Sequence, residues 1–195
     1  RLKLYTLGDT LPLSTRVPVL DNMGLSALSE RSFTVHRPDG LLVHIHDMDL
    51  TRRNGGTIEL LDGGLALESL FQAVSDGRIE NDGFNRLVLE AGLEWRQANV
   101  LRAYAQSDQR IFEVPCPECG EFTEILWQHI EWQPDKPETA AFRCPHCEET
   151  ISERHKAAMM AAGRWRATCP DVKRHAGFRI NALVSPHANA SWGRL

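Results

Sequence analysis

The chain has 195 residues, with 22 lysines and arginines against 26 aspartates and glutamates, giving a formal net charge of −4. Apolar residues make up 42% and charged residues 25%, a globular composition that argues against a disordered or low-complexity chain. No apolar run approaches the ~20 residues that span a bilayer, and the acidic charge gives no global reason to expect nucleic acid. No secretory leader is visible, so we expect a cytoplasmic protein, and the first residue, Arg1, indicates a piece of something longer.

The first half of the chain predicts a strand, a helix and two further strands. Pro12 is suited to start the helix and Gly24 to end it. The expected bounds are 1–7 for the first strand, 13–22 for the helix, and 29–36 and 41–48 for the other two strands. This order predicts an α+β fold that contains a partial ferredoxin-like βαββ layer.

Three histidines lie on the second and third predicted strands. His44 and His46 share one face, and His36 lies across the hairpin, so a three-histidine metal site is conceivable. An exposed strand face accounts for the same residues, and no ligand motif accompanies them. We therefore interpret the three histidines as structural.

Apolar residues at helical spacing predict three helices before residue 106, over 65–74, 84–91 and 94–105. We expect the third helix to pack through Trp95 and through an inner face of Val100, Leu101 and Tyr104. Neither a dinucleotide-binding glycine-rich turn nor a phosphate loop occurs in the sequence, so no cofactor chemistry is visible here.

Several stretches of the first half occur in the order typical of one enzyme family. They are Leu4–Asp9, Val19–Leu25, Glu80–Leu89, Trp95–Arg96 and Val100–Ala105. Residues 1–105 thereby resemble the large bacterial NAD-specific glutamate dehydrogenases. The resemblance implies an ACT-like regulatory part followed by a helical linker, ahead of a catalytic core that lies outside this chain. No catalytic residue is carried over, and we interpret residues 80–86 as packing and polar capping.

The five cysteines all lie in the second half of the chain. Cys116 and Cys119 form one C-x-x-C pair, Cys144 and Cys147 form a second after 24 intervening residues, and Cys169 remains alone. Two pairs at this separation are typical of metal ligands rather than of a disulfide framework. Four thiolates form a closed tetrahedral zinc site, which indicates structure rather than hydrolysis. The sequence therefore predicts a zinc-ribbon-type β-hairpin module.

The segment between the two cysteine pairs predicts a short hairpin. Gly120 permits the tight turn of the first pair, and residues 121–127 and 129–132 alternate enough to form two strands. Trp127 and Trp132 are large enough to roof a small core over the metal. We expect these two tryptophans to be buried.

Two other candidate ligands lie close to this module. His146 lies between Cys144 and Cys147, but four cysteines already complete a tetrahedral shell, so we expect it at the surface. Cys169 has no C-x-x-C partner, and we interpret it as a stray thiol rather than a nucleophile.

A basic stretch follows the second cysteine pair. Over residues 154–179 Asp171 is the one acidic residue. The seven basic residues are Arg154, Lys156, Arg164, Arg166, Lys173, Arg174 and Arg179. The net charge of +6 over residues 154–179 predicts contact with the phosphates of double-stranded DNA. A solvated basic face with its counter-charges elsewhere in the fold is the alternative.

Further stretches of the second half carry another resemblance. They are Ser107–Arg110, Val114–Gly120, Trp127, Trp132, Cys144–Cys147, Ile151, Lys156, Met160, Gly163–Trp165 and Gly177–Pro186. Residues 105–195 thereby resemble the large terminase subunit of lambda-type phages. In that family the segment joins a DNA-translocating ATPase domain to a metal-dependent nuclease domain. The resemblance implies that the residues of both active sites lie outside this segment, so only the four paired cysteines transfer.

The two resemblances predict four segments: an ACT-like fragment over 1–61, a helical segment over 62–106, a zinc ribbon with its following helix over 107–165, and the start of another terminase-like segment over 166–195. We expect a fusion or fragment without a complete catalytic core. The alternative is part of a working enzyme, either a dehydrogenase converting glutamate and NAD to 2-oxoglutarate and ammonia, or a terminase that packages and cuts DNA with ATP.

Zinc is the cofactor expected in this chain, whereas NAD and ATP belong to the parent families. The expected partner is double-stranded DNA, through the C-terminal half. We expect no membrane contact, and the resemblances allow an oligomer like those of either parent family.

Overall fold

The computed structural model describes residues 1–58 and 60–194, and their side chains except for those of 60–62. Glu59 and Leu195, which belong to the first and last predicted segments, lie outside the described residues. The described chain mixes α-helices with β-sheets, which confirms the expected use of both, and it divides into two compact units, Arg1–Arg102 and Ala103–Leu195. The division into four segments stays a prediction.

The first unit begins with the predicted strand, helix and two strands. Their bounds are β1 Leu2–Leu7, α1 Leu13–Asn22, β2 Leu25–His36 and β3 Leu42–Arg52. β3 lies between β1 and β2 and pairs antiparallel with both. The helix starts after Pro12 as predicted, and Gly24 follows it with a φ of 83°, a conformation that glycine adopts without a steric cost.

Three helices follow: α2 Leu60–Ser75, α3 Leu87–Glu90 and α4 Trp95–Ala105, of which the first unit contains residues 95–102, with one 3₁₀ turn at Gly83–Arg86. Among the described residues, no helix combines the length and the apolar character that crossing a bilayer requires. The buried core of this unit consists of Val19, Leu20, Met23, Leu25, Met48, Leu70, Phe71, Ala73, Ile79, Val88 and Ala98. Trp95 packs against this core, as predicted.

The predicted inner face of α4 is wrong. Val100 is 68% exposed and Leu101 is 46% exposed, whereas Ala98 and Arg102 are buried. Arg102 lies inside because the preceding loop supplies hydrogen-bond acceptors for its guanidinium. Apolar spacing along one helix does not reveal such acceptors.

Arg102 holds the loop before α3 through a dense set of hydrogen bonds. Its guanidinium donates to Asp82 at 2.6 and 2.9 Å, to the side chain of Asn85 at 2.7 Å and to that of Asn99 at 2.7 Å. Asp82 also accepts from the backbone N–H of Phe84 and so caps the 3₁₀ turn. These contacts agree with the predicted role of this loop in packing and polar capping.

The second unit contains shorter strands. Its elements are β4 Arg110–Pro115, β5 Phe122–Thr123, β6 Ile130–Gln133, β7 Lys136–Arg143, β8 Thr150–Ser152, α5 Lys156–Ala161, β9 Arg164–Ala167 and β10 Phe178–Arg179. β4 pairs with β5, β9 and β10, while β7 pairs with β6 and β8. The predicted pairing of residues 121–127 with 129–132 is wrong, because β5 pairs with β4 and β6 pairs with β7. Each cysteine turn joins the strands directly on its own two sides.

The core of the second unit differs from the one expected. Trp127 and Trp132 contact each other with ring centroids 6.0 Å apart, but they are 49% and 50% exposed and do not roof a core. Phe142 and Trp192 fill the interior instead, and the indole N–H of Trp192 donates to the carbonyl of Leu183 at 2.8 Å. Trp192 lies far from the cysteines in the sequence, so its role in this core depends on the tertiary fold.

Candidate metal centre

The two cysteine pairs lie on two turns with the same backbone pattern. In the first turn the N–H of Gly120 donates to the carbonyl of Cys116, whose own N–H donates to Glu121. In the second turn the N–H of Glu148 donates to Cys144, whose N–H donates to residue 149. Each turn thus closes four residues after its first cysteine and directs two sulfurs to the same side.

The fourth residue after the first cysteine has a positive φ in both turns, but the residue types differ. Gly120 has a φ of 77°, as its predicted role requires, while Glu148 has a φ of 60°. A residue with a Cβ pays a steric penalty in this left-handed region. Because Glu148 takes the position that Gly120 has in the first turn, no glycine in the sequence indicates the second turn.

The fold brings all four predicted sulfurs together. Every pair of Sγ atoms among Cys116, Cys119, Cys144 and Cys147 lies within 4.8 Å. Two pairs that join one turn to the other, Cys116 with Cys147 and Cys119 with Cys144, are 3.8 Å apart. Cys116 and Cys144 are buried within the core of the second unit, while Cys119 is exposed.

The four thiols do not ionise independently. Burial raises the pKa of the Cys116 thiol. A backbone hydrogen bond from Glu149 favours the thiolate of Cys147, but burial and the neighbouring thiols outweigh it and raise the pKa of Cys147 to about 12. Burial also disfavours the thiolate of Cys144, yet hydrogen bonds from two backbone N–H groups and two thiols lower its pKa overall. A divalent cation at the centre of the cluster would favour the thiolate form of all four cysteines, since thiolates are the form that binds a metal.

The other candidate ligands lie apart from this cluster. His146 is exposed on the second turn, as expected. Cys169 is partly buried, and its backbone N–H donates to Asp108. Among the described residues, the four paired cysteines are the group of His, Cys, Asp and Glu side chains close enough to share an ion.

The histidines of the first unit are bonded within the protein. His44 lies 3.1 Å from the hydroxyl of Thr34, and His46 lies 2.9 Å from the carboxylate of Glu30. His36 is exposed. The imidazoles of His44 and His46 thus lie against a hydroxyl and a carboxylate of the same sheet.

Lys156 is placed differently from the other predicted DNA contacts. It is 5% exposed, and its Nζ donates to the carbonyl of Ala190 at 2.6 Å and lies 3.5 Å from Glu153. Burial lowers the pKa of Lys156, while the carboxylate of Glu153 opposes that shift. The amine ties α5 to the C-terminal segment and presents little charge to solvent.

Most of the remaining basic residues have partners within the second unit. Glu113, which is 6% exposed, accepts from Arg166 at 2.7 Å and from Arg164 at 3.3 Å. Arg179 donates to Glu124 at 3.0 Å. Arg154 donates to His155, Lys173 donates to the carbonyl of Pro170, and Arg174 is exposed. Arg164, Arg166 and Arg179 thus have carboxylate partners elsewhere in the fold, as the alternative of a solvated basic face expects. Contact with DNA stays a prediction.

Two family models match the chain in different places. A model of the glutamate dehydrogenase ACT3 domain matches residues 1–62, and a model of the phage terminase large subunit gpA, ATPase domain, matches residues 70–165. The terminase match begins ahead of residue 105, where the sequence resemblance was expected to start. Its description refers to the ATPase domain, and the expected position between the ATPase and nuclease domains stays a prediction.

Three curated relatives are NAD-specific glutamate dehydrogenases. The protein from Pseudomonas aeruginosa is 38% identical over 104 residues, which is 53% of this chain and 6% of the relative. That from Halomonas elongata is 36% identical over 105 residues, 54% of this chain and 6% of the relative. That from Mycobacterium tuberculosis is 41% identical over 113 residues, 54% of this chain and 7% of the relative.

This chain therefore spans a small fraction of the length of these relatives. The double resemblance expected from the sequence is confirmed: the chain joins a segment similar to the ACT region of NAD-specific glutamate dehydrogenases to a segment similar to the large subunit of phage terminases.

Proposed function

We propose that the second unit is a structural zinc-binding module of the zinc-ribbon type, carried by a chain without a complete catalytic core. The observation that carries this proposal is the 3.8 Å separation of two sulfur pairs across the two turns. A tetrahedron with zinc–sulfur bonds of about 2.3 Å has edges of about 3.8 Å. These two pairs therefore lie at the spacing that a tetrathiolate zinc site requires, and all four sulfurs lie within 4.8 Å of one another.

The proposed role of the metal is to crosslink the two turns. Cys116 and Cys144 would hold it from the buried side, and Cys119 and Cys147 from the more exposed side. Zinc bound by four thiolates supplies no open coordination position, so its contribution is stability rather than hydrolysis. In small metal modules the free energy of metal binding is also free energy of folding.

Metal content tests this proposal directly. We expect the purified chain to contain about one zinc per molecule, by the four-thiolate stoichiometry of structural sites. Cys116→Ser should lose the metal, whereas Cys169→Ser, at a thiol outside the cluster, should retain it. Equal zinc content in these two variants, or none in the unaltered chain, would contradict the proposal.

For the first unit we propose a partial ferredoxin-like regulatory fragment. The support is its strand–helix–strand–strand order, with β3 between β1 and β2 and antiparallel to both.

As it stands, the chain should turn over neither glutamate with NAD nor ATP with DNA. A measurable rate in either assay would favour the alternative, a part of a working dehydrogenase or terminase. Sequencing the surrounding genomic DNA separates the two, because an intact reading frame on either side favours the enzyme.

A further inference from the structure

A polar cluster in the first unit joins the side chain of an exposed residue, Thr10, to a buried imidazole and a carboxylate. Thr10 is exposed in the loop before α1, while His46 on β3 is 4% exposed. The imidazole Nε2 of His46 lies 3.1 Å from Oγ1 of Thr10, and its Nδ1 lies 2.9 Å from Oε1 of Glu30 on β2. The three side chains thus form one continuous hydrogen-bonded chain, of which His46 is the most buried member.

Hydrogen-bonding chemistry decides which nitrogen of His46 carries the proton. An ionised carboxylate accepts hydrogen bonds and donates none. Ser32 donates its own hydroxyl proton to Glu30, so its oxygen, 3.0 Å from Nδ1, can only accept as well. The neutral imidazole therefore holds its proton on Nδ1, facing Glu30 and Ser32, and its Nε2 presents a lone pair to the hydroxyl of Thr10. This connection of hydroxyl, imidazole and carboxylate is the one by which enzymes activate a hydroxyl nucleophile.

The surroundings of Glu30 keep its carboxylate ionised. Burial disfavours the charge, but hydrogen bonds from Arg16, Ser32 and His46 outweigh it and hold the pKa of Glu30 below its usual value. Arg16 is 3% exposed and donates to the carboxylate at 2.7 Å, and Ser32 donates at 2.8 Å. All three contacts converge on Oε1 of Glu30, the oxygen that faces Nδ1 of His46.

We propose that Thr10, His46 and Glu30 form a nucleophilic relay in which the hydroxyl of Thr10 takes an acyl group from a small activated ester. The hydroxyl–imidazole and imidazole–carboxylate distances both lie within the 2.6–3.2 Å expected of a nucleophile and its base. The exposure of Thr10 gives a small acyl donor access, while the base and the carboxylate are shielded from bulk water. This inference concerns the first unit and does not depend on zinc.

The proposed step is an acyl transfer. Oγ1 of Thr10 attacks the carbonyl carbon of the ester and forms a new carbon–oxygen bond, and the hydroxyl proton passes to Nε2 of His46. The bond from that carbon to the alkoxide or phenolate leaving group breaks, and the leaving group takes the bonding electrons. The proton of His46 then returns to the leaving group or to water, which leaves an ester on Thr10.

The same sheet face provides an internal comparison. His44 lies two residues from His46 on β3, with its Nδ1 3.1 Å from the hydroxyl of Thr34 and its Nε2 3.0 Å from the carbonyl oxygen of Gly8. His44 thus faces a threonine as His46 does, but a neutral carbonyl takes the place of the carboxylate. Thr34 should therefore react more slowly than Thr10.

p-Nitrophenyl acetate is a suitable probe for the full chain. We expect acetylation of Thr10, located by peptide mass spectrometry, at a rate that His46→Gln lowers by roughly 10²-fold, the scale of general-base catalysis. His44→Gln should leave that rate unchanged. Thr10→Ser should keep the reaction, because it retains the hydroxyl, and Thr10→Val should abolish the adduct at this position.

Because His46 is buried, its variant must first show the thermal unfolding of the unaltered chain. Should it fail to fold, the comparison of Thr10 with Thr34 within the unaltered chain decides the question, with acetylation of Thr10 expected to be at least roughly tenfold faster. Equal labelling of the two threonines, or no adduct on Thr10, overturns the relay. So does a folded His46→Gln variant that reacts at the original rate.

Discussion

The two units stabilise their interiors by different means. The first unit contains no cysteine and packs its helices against a three-stranded sheet through aliphatic and aromatic side chains. The second unit has shorter strands, and two of its core members are the thiols of Cys116 and Cys144, which are 2% and 0% exposed. The described core of the first unit is hydrocarbon and aromatic, whereas that of the second includes thiols that could bind a metal.

Metal removal should separate the two units most sharply. Structural zinc sites contribute about 10–16 kcal/mol of apparent binding free energy, so a chelator should unfold the region around the cysteines. Residues 1–100 should stay protected because the described core of this unit contains no cysteine. Limited proteolysis with and without chelator measures this difference, and simultaneous cleavage of both units would show that they share their stability.

A core substitution in the first unit provides the reverse experiment. Leu70 on α2 is fully buried, so Leu70→Ala should lower the free energy of unfolding of this unit by about 2–5 kcal/mol and leave the zinc content unchanged. Leu65→Ala on the same helix is the matched control, because Leu65 is 69% exposed. Chemical denaturation of the three proteins gives the values, and equal effects of the two substitutions would contradict the packing described for α2.

Breaking the buried arginine network should have a smaller effect. Arg102→Met leaves Asp82 and Asn85 without their shared donor and should cost about 1.5–3 kcal/mol, the range for hydrogen bonds to charged groups. Arg96→Met, at an exposed position of the same helix, loses a contact with the Trp95 ring 4.3 Å away and should cost less, at most about 1 kcal/mol. An equal loss in both variants, again by denaturation, would argue against the network.

The same network predicts a dependence on pH. Burial opposes the charge of Asp82, but the hydrogen bonds from Arg102 and from the backbone of Phe84 outweigh it and place the pKa of this carboxyl below its ordinary 3.8. A lowered folded-state pKa stabilises the unit fully above pH 3.8, and this contribution declines as the pH falls from there through the folded-state pKa. Arg102→Met should flatten this acid decline in a denaturation series, and an unchanged slope would exclude the ion pair as its source.

The smallest expected effect concerns the backbone of the two cysteine turns. Glu148→Gly removes the Cβ at a φ of 60°, together with an exposed ion pair to Arg143 that contributes little, and should raise the stability of the second unit by up to about 1 kcal/mol. Gly120→Ala, at a φ of 77° in the equivalent position, should lower it by about 1 kcal/mol; open space surrounds that site, so the cost is one of backbone conformation alone. Thermal unfolding of the zinc-bound chain measures both, and effects of the same sign would contradict the equivalence of the two turns.

The predictions from the sequence that agree with the structure depend on residues close together in the chain. The helix starting after Pro12 follows from the proline's fixed φ, and the four metal-ligand candidates follow from the spacing of the cysteines. Sequence reasoning failed where an apolar residue was assumed to face inward: Trp127 and Val100 are exposed, while Arg102 is buried. Each failure involves a partner that is distant in the chain or is not apolar.

The amino-acid sequence by itself determined the strand–helix–strand–strand order, the two family resemblances and the identity of the clustered cysteines, because turn residues, motif words and ligand spacing are local properties. The tertiary structure decided which strands pair, that Trp192 fills the core of the second unit, and that Thr10, His46 and Glu30 meet. These outcomes depend on contacts between residues far apart in the chain, which form only when the whole unit buries its apolar surface and satisfies its buried polar groups together.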